Sequence, residues 1–202
     1  MNVTDLEQYN QYLKKHELKQ NRGANGTRDS ERKKTYRSEW AYEAIMGAEI
    51  PRFNNLEEVR KFAKRVYKSD TWQNLWEESS QSNALVALNP TPKILQKKRS
   101  SGRGNCGYTN GFTITLDERV GLNAYVVLHE LSHCLGHMHH GRSFRKTLVT
   151  LVGQFLGADH KKVLEEKFKE NKLAYGNPRK PMSFEQWKLS KEKLRKAREQ
   201  KV

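Results

Sequence analysis

Residues 129–144 read HELSHCLGHMHHGRSF, and the reading of the whole chain turns on them. The stretch opens with an HExxH pattern: His129, Glu130, Leu131, Ser132, His133. A continuous apolar run, Ala124-Tyr125-Val126-Val127-Leu128, leads into it, which predicts a buried helix. On a helix, residues four apart share one face, with Cβ atoms about 5–6 Å apart. Two imidazoles so placed can reach one zinc ion, whose bonds to histidine nitrogen run about 2.0–2.1 Å. Glu130 points elsewhere on the helix and can still reach a water beside the metal, as a general base does. HExxH also arises by chance on amphipathic helices. The apolar lead and three further histidines (His137, His139, His140) favour a metal site here.

The third ligand is the open question at this level. His137 continues the four-residue ladder, but eight residues of helix rise about 12 Å, too far to share an ion with His129. Gly136 gives the helix a place to end, because glycine readily takes the left-handed conformation found there. A ligand can then return from beyond the turn, and two candidates do. His139 completes HExxHxxGxxH with His129, His133 and Gly136, a metzincin-like pattern. That pattern also calls for a downstream methionine turn, and Met182 in NPRKPMSF suits the role poorly. His140 opens HGxxF (His140, Gly141, Phe144), just ahead of SFRKTLVTLVGQFLG. There Phe144, Leu148, Val149, Leu151, Val152 and Phe155 lie at helical spacing. The helix after it favours His140, with His139 as the alternative.

HExxH followed by HGxxF resembles the SprT-like zinc metalloproteases. It resembles more closely a compact, SprT-related group of metallohydrolases from actinobacteria and their phages. That group joins the two motifs by a short link and continues with a helix and an LG, here Leu156 and Gly157, then DHKKVLEEKFKENKL. Its members tend to open with RDxxR…Y…E, matched here by Arg28, Asp29, Arg32, Tyr36 and Glu39. The resemblance spans roughly residues 28 to 175. It implies a small zincin-like α+β domain, Zn²⁺ held by His129, His133 and His140, and Glu130 as base. It also implies a protein or peptide substrate, and SprT-like proteases act on proteins bound to DNA. The zinc ribbon of some relatives is not expected, since the chain has only two cysteines.

At 202 residues the chain has room for one domain with tails. The expected division is a flexible polar arm over 1–30, a zincin-like metallohydrolase domain over 31–175 and a basic helical tail over 176–202. No stretch approaches the roughly 18 apolar residues of a membrane span. The opening MNVTDLEQYNQYLKKHELKQ has no apolar signal core, so a cytoplasmic location without membrane contact is expected. The net charge is +15 and uneven. Residues 177–202 hold nine basic and three acidic side chains, and residues 93–103 hold five basic and none acidic. Such segments suit nucleic acid or another polyanion, or simply a solvated exterior. Cys106 and Cys134 lack the close spacing of a cysteine zinc site and read as small buried thiols.

Elsewhere the pattern predicts a helix over 30–48 with Tyr36, Trp40, Ala44 and Ile45 as its apolar face. A second helix begins at an Asn55 cap and carries a stripe of Leu56, Val59, Phe62, Ala63 and Val66. Trp72, Leu75 and Trp76 close a short helical turn onto the core. ALVALN (84–89) and KILQKK read as short strands, and the alternation in Phe112–Leu116 reads as a strand with one buried face. That last strand is placed either along the cleft, where peptide substrate adds as a strand, or inside a sheet with no free edge. Helices over about Arg142–Leu156 and Asp159–Lys172 come next, and the last segment docks by Phe184 and Trp187.

These readings converge on a zinc-dependent metallohydrolase, a metallopeptidase whose water is activated by Glu130. Tyr108, Arg119 and Arg142 are candidate donors to the developing oxyanion. The alternative is a nucleic-acid-binding protein with a structural zinc, closed by a fourth ligand from His137 or His139.

Overall fold

The computed structural model describes residues 3–20, 29, 31–81, 83–97, 106–175 and 182–199. Among them the fold is mixed α+β and mostly helical, with nine helices and one three-stranded sheet. At its centre is α6 (Ala124–Cys134), buried at every residue. The sequence dictates its limits. Asn123 caps it, its side chain accepting from the Val126 amide at 2.9 Å. It stops before Gly136, whose φ of +86° strains any residue with a side chain. A Cβ at Gly136 would also lie 2.8 Å from Asn83 Nδ2.

The other helices build outward from this axis. α7 (Arg142–Phe155) lies against α6 and buries Phe144, Leu148, Val149, Leu151 and Val152, the stripe expected of it. α8 (Ala158–Glu170) packs on α7 and on α2 (Arg32–Met46). The chain leaving α2 is tied to the start of α6, where the Ala124 amide donates to the Pro51 carbonyl at 2.9 Å. α3 (Leu56–Tyr67), also directly against α6, carries its Asn55 cap and buries Val59, Phe62, Ala63 and Val66. α4 (Asp70–Ser80) buries Trp72 and Leu75.

Two readings of the sequence need correction. The apolar face expected on α2 points outward: Trp40 is 66% exposed and Ile45 56% exposed. The face turned inward is Thr35, Ser38, Glu39, Tyr42 and Met46. Its first half is polar because Thr35, Ser38 and Glu39 meet histidines and main-chain groups, whereas Tyr42 and Met46 join the apolar core. ALVALN is not a strand but contains a helical turn, α5 (Ala84–Ala87). Asn83 caps that turn by accepting from the Leu85 amide, and only Val86 is buried.

The sheet has the order β1-β3-β2, with β1 (Lys93–Lys97) parallel to β3 (Thr113–Asp117) and β2 (Gly107–Thr109) antiparallel to it. β3 is therefore the central strand and cannot border a cleft. Ile114, Thr115, Leu116 and Asp117 are all buried, so both its faces are covered, not one. The edge strand beside α6 is β2.

Val3–Gln20, inside the polar segment, forms helix α1. It pairs with α9 (Phe184–Glu199), where Phe184 and Trp187 meet the Tyr9 ring at 5.2 and 5.7 Å. Arg28, residues 98–103 of the first basic segment and residues 177–181 of the second lie outside the described residues. Among the described residues no helix is long and apolar enough to cross a membrane.

Candidate metal centre

α6 sets His129 and His133 on one face, one turn apart. The link after Gly136 carries the chain back so that His140, just before α7, meets them. His129 Nε2 lies 3.2 Å from His133 Nε2 and 3.4 Å from His140 Nε2. Two nitrogens bound at about 2.0–2.1 Å to a tetrahedral ion stand about 3.3 Å apart, so this spacing fits a zinc ion. All three rings are buried, and they are the one histidine, cysteine and carboxylate cluster of metal-binding geometry among the described residues. His139 does not join it. His137 contributes its main chain instead of its ring, and burial drives that ring's pKa down to about 4.

The opposite nitrogen of each ring is also committed. His140 Nδ1 donates to Asp29 Oδ2 at 2.7 Å, and the same oxygen accepts the His140 amide at 3.2 Å. His129 Nδ1 faces Glu39 Oε2 at 3.2 Å. His133 Nδ1 donates to the His137 carbonyl at 2.5 Å. Metal-binding histidines commonly donate their second N–H in this way, which fixes the tautomer and turns a lone pair toward the ion. Here three such Nε2 atoms face one another across a buried space. Neutral rings at that separation repel lone pair to lone pair, so the arrangement calls for a cation between them.

A proton fills part of that demand. Burial opposes charge on His129, but Glu39, with Glu130 and Glu43, outweighs it and lifts the imidazole to about 9. Burial and the neighbouring His129 instead push His133 well below its ordinary value, and His140 down as well. Protonation of the cluster is thus favoured on His129 over His133 and His140.

Further contacts steady the frame. Phe144, the last residue of HGxxF, stacks on the His133 ring at 4.4 Å and meets the other two edge-on. Arg145 is 1% exposed. Its guanidinium donates to the His140 carbonyl at 2.5 Å and to the Ala174 carbonyl at 2.6 and 2.9 Å, and pairs with Glu31 at 2.9 Å. Glu130 is 5% exposed, and burial raises its carboxyl pKa. Its side chain lies against β2 so closely that a Cβ on Gly107 would sit 3.0 Å from Oε1. Tyr36 leans on the centre from α2, its ring 4.7 Å from that of His140 and 6.1 Å from that of His129.

Sequence reasoning assigns no role to Asp29, Glu39 or Arg145. Asp29 and Glu39 stand there only within the RDxxR…Y…E resemblance, and Asp29 falls in the expected arm. A glutamate on a helix face with no clean apolar stripe is the one signal that could have found Glu39. Neither cysteine belongs to a cluster of metal-binding geometry among the described residues. Cys134 is buried, with its thiol 3.3 Å from Thr109 Oγ1, and Cys106 is exposed rather than buried. Comparison of the chain with protein-family models, curated proteins and solved structures finds no match.

Proposed function

We propose that this chain is a zinc-dependent hydrolase, a peptidase with a zincin-like domain, using His129, His133 and His140 as metal ligands and Glu130 as base. The observation that carries the reading is the convergence of three buried Nε2 atoms whose Nδ1 partners all lie on the outside. When bound, zinc supplies a Lewis acid that polarises a carbonyl and brings the pKa of a coordinated water to about 7 in well-studied sites. Three protein nitrogens leave a coordination position open, whereas structural zinc is closed by four. No fourth donor stands in the cluster among the described residues, which favours the enzyme over the structural alternative.

The chain's own groups divide the work. The histidines hold and orient the ion, each kept in its tautomer by Asp29, Glu39 or the His137 carbonyl. Glu130 takes the proton that water loses during attack and returns it to the leaving nitrogen. Gly107 lets the edge strand come down onto that carboxylate. An extended peptide can add to the edge of β2 by main-chain hydrogen bonds and lie across the same side. The basic α9 suits a polyanionic surface near the substrate, in keeping with the SprT-like resemblance.

The test is zinc per chain by elemental mass spectrometry, for wild type and His133→Ala, then a screen of peptide substrates with Glu130→Gln as control. One zinc per chain, lost in His133→Ala, is expected. Glu130→Gln should keep its zinc and lose turnover by about 10²–10⁴-fold. A folded wild type that takes up no zinc refutes the reading, as does a Glu130→Gln variant of undiminished activity.

A further inference from the structure

Tyr36 is the phenol that lies against the ligand rings, and its surroundings define its role. It occupies α2 between Arg32 and Trp40, each one turn away, so the three side chains form a ladder along the helix. The Arg32 guanidinium stands 5.3 Å over the Tyr36 ring, and Trp40 stacks on the ring at 6.1 Å. A guanidinium can only donate, so with Arg32 as neighbour the phenol keeps its own proton to donate elsewhere. The ring is packed edge-on against His140 and sits within electrostatic reach of Glu130 and Glu39. The residue is only half-buried, so it borders the centre on its solvent side. Of the donors expected from sequence, Tyr108 stands on β2, Arg142 opens α7, and Arg119 is exposed beyond β3.

We infer that Tyr36, polarised by Arg32, is a further catalytic residue that donates its O–H to the carbonyl oxygen as that oxygen gains negative charge. The inference rests on the hydrolase reading above. Attack forms the new C–O bond and moves the carbonyl π pair onto oxygen. That oxygen receives the Tyr36 hydrogen bond, which strengthens as charge builds. Glu130 carries the proton from water to nitrogen as the C–N bond breaks. The Tyr36 O–H bond stays intact throughout. Arg32 is a positioning residue: its positive charge over the phenol ring partly offsets the burial that holds the hydroxyl's pKa up, and makes it a stronger donor than it is without that charge.

The test needs no substrate. The protein is loaded with cobalt(II) in place of zinc, and binding of acetohydroxamate, an anionic carbonyl mimic, is monitored by the visible spectrum of the metal. Tyr36→Phe should keep metal stoichiometry and melting temperature and bind acetohydroxamate about 10- to 100-fold more weakly, as expected for losing a hydrogen bond to a charged group. Arg32→Met should shift affinity in the same direction by less, and Trp40→Ala should leave it within about twofold. A Tyr36→Phe affinity within about twofold of wild type, with metal retained, overturns the inference and leaves the hydrolase reading standing. A wild type that takes up no cobalt or zinc overturns the hydrolase reading itself, and loaded protein that binds no acetohydroxamate overturns the open site on which both depend. If Tyr36→Phe does not fold, the Arg32→Met measurement decides, and an unchanged affinity there counts against the inference.

Discussion

Replacing Glu39 with glutamine sets two effects against each other, and pH separates them. Glu39 is 4% exposed, with Oε2 on His129 Nδ1 at 3.2 Å and Oε1 without a partner. Its carboxylate stabilises two competing occupants of the same imidazole: the proton on Nε2 and a metal ion there. With His129 at about 9, zinc at pH 7 must displace a proton held two units above ambient, a penalty of about 2.7 kcal/mol or about 100-fold in affinity. In return, a carboxylate behind a ligating histidine commonly strengthens metal binding about 10- to 100-fold. Glu39→Gln removes both the penalty and the gain. At pH 7 the two nearly cancel, and zinc affinity should stay within about tenfold of wild type. At pH 9 the wild-type ring is about half protonated, the penalty falls to about twofold, and the variant should bind about 5- to 50-fold more weakly. His133 and His140, pushed down by burial and by His129, are already neutral at both values and do not confuse the comparison. Competition against a chromophoric chelator at each pH gives the affinities. Calorimetry in two buffers of different ionisation enthalpy counts protons, and wild type should release about one more than the variant at pH 7. Equal losses at both pH values, or wild-type binding at pH 7 without proton release, would refute the reasoning.

Two further changes probe the frame around the ligands. Gly107→Ala introduces a Cβ at 3.0–3.1 Å from Glu130 Oε1, Glu130 Cγ and Leu116 Cδ2, so the base must shift by a few tenths of an ångström. Zinc content should hold while turnover falls about tenfold, given that misplacement by about 1 Å can cost 10²-fold. A fall in zinc content equal to the fall in turnover would contradict this. Arg145→Met strips the guanidinium from the buried His140 carbonyl, which keeps only the Thr35 hydroxyl, and from the Ala174 carbonyl, which is exposed and can turn to water. Urea unfolding of the metal-free protein should register a loss of about 1–3 kcal/mol, the cost of one underserved buried acceptor, and a loss under about 0.5 kcal/mol would show that water replaces the guanidinium there too.

Local periodicity accounts for the features that were legible in the sequence. The α3 stripe, the Asn55 cap, the α7 stripe and the helix stop at Gly136 each depend on side chains a few residues apart, and each stands in the structure. The same is true of the HExxH face. The misreadings share another cause. On α2, the rule that apolar residues face inward fails because the inward surface is a ring of histidines, which selects Glu39 and Thr35 and leaves Trp40 outside. In ALVALN the apolar content resembles a strand, but Asn83 supplies a helix cap that apolar counting does not register. Alternation alone does not select the edge strand. β2 is only Gly107–Thr109, too short for a periodic signal, whereas the longer and more regular β3 is the central strand, buried on both faces.

The candidate metal centre is therefore a tertiary object with a local seed. HExxH fixes two nitrogens by helix geometry alone, but their usefulness depends on groups about 100 residues upstream. Asp29 bonds both the ring and the amide of His140, and Thr35 donates to the His140 carbonyl at 3.3 Å. Arg145 grips the same carbonyl and reaches Glu31. His140 is thus held on its ring, its amide and its carbonyl by the segment from Asp29 to Thr35 and by α7. His133 needs only the carbonyl of its own succeeding turn. This asymmetry explains why the first two ligands are plain in the sequence and the third is not. A helix carries its own geometry, while a ligand on a link is positioned by whatever the fold packs around it. It also extends the candidate site beyond the expected domain. A domain cut between residues 30 and 31 would keep every ligand and lose the carboxylate that orients one of them.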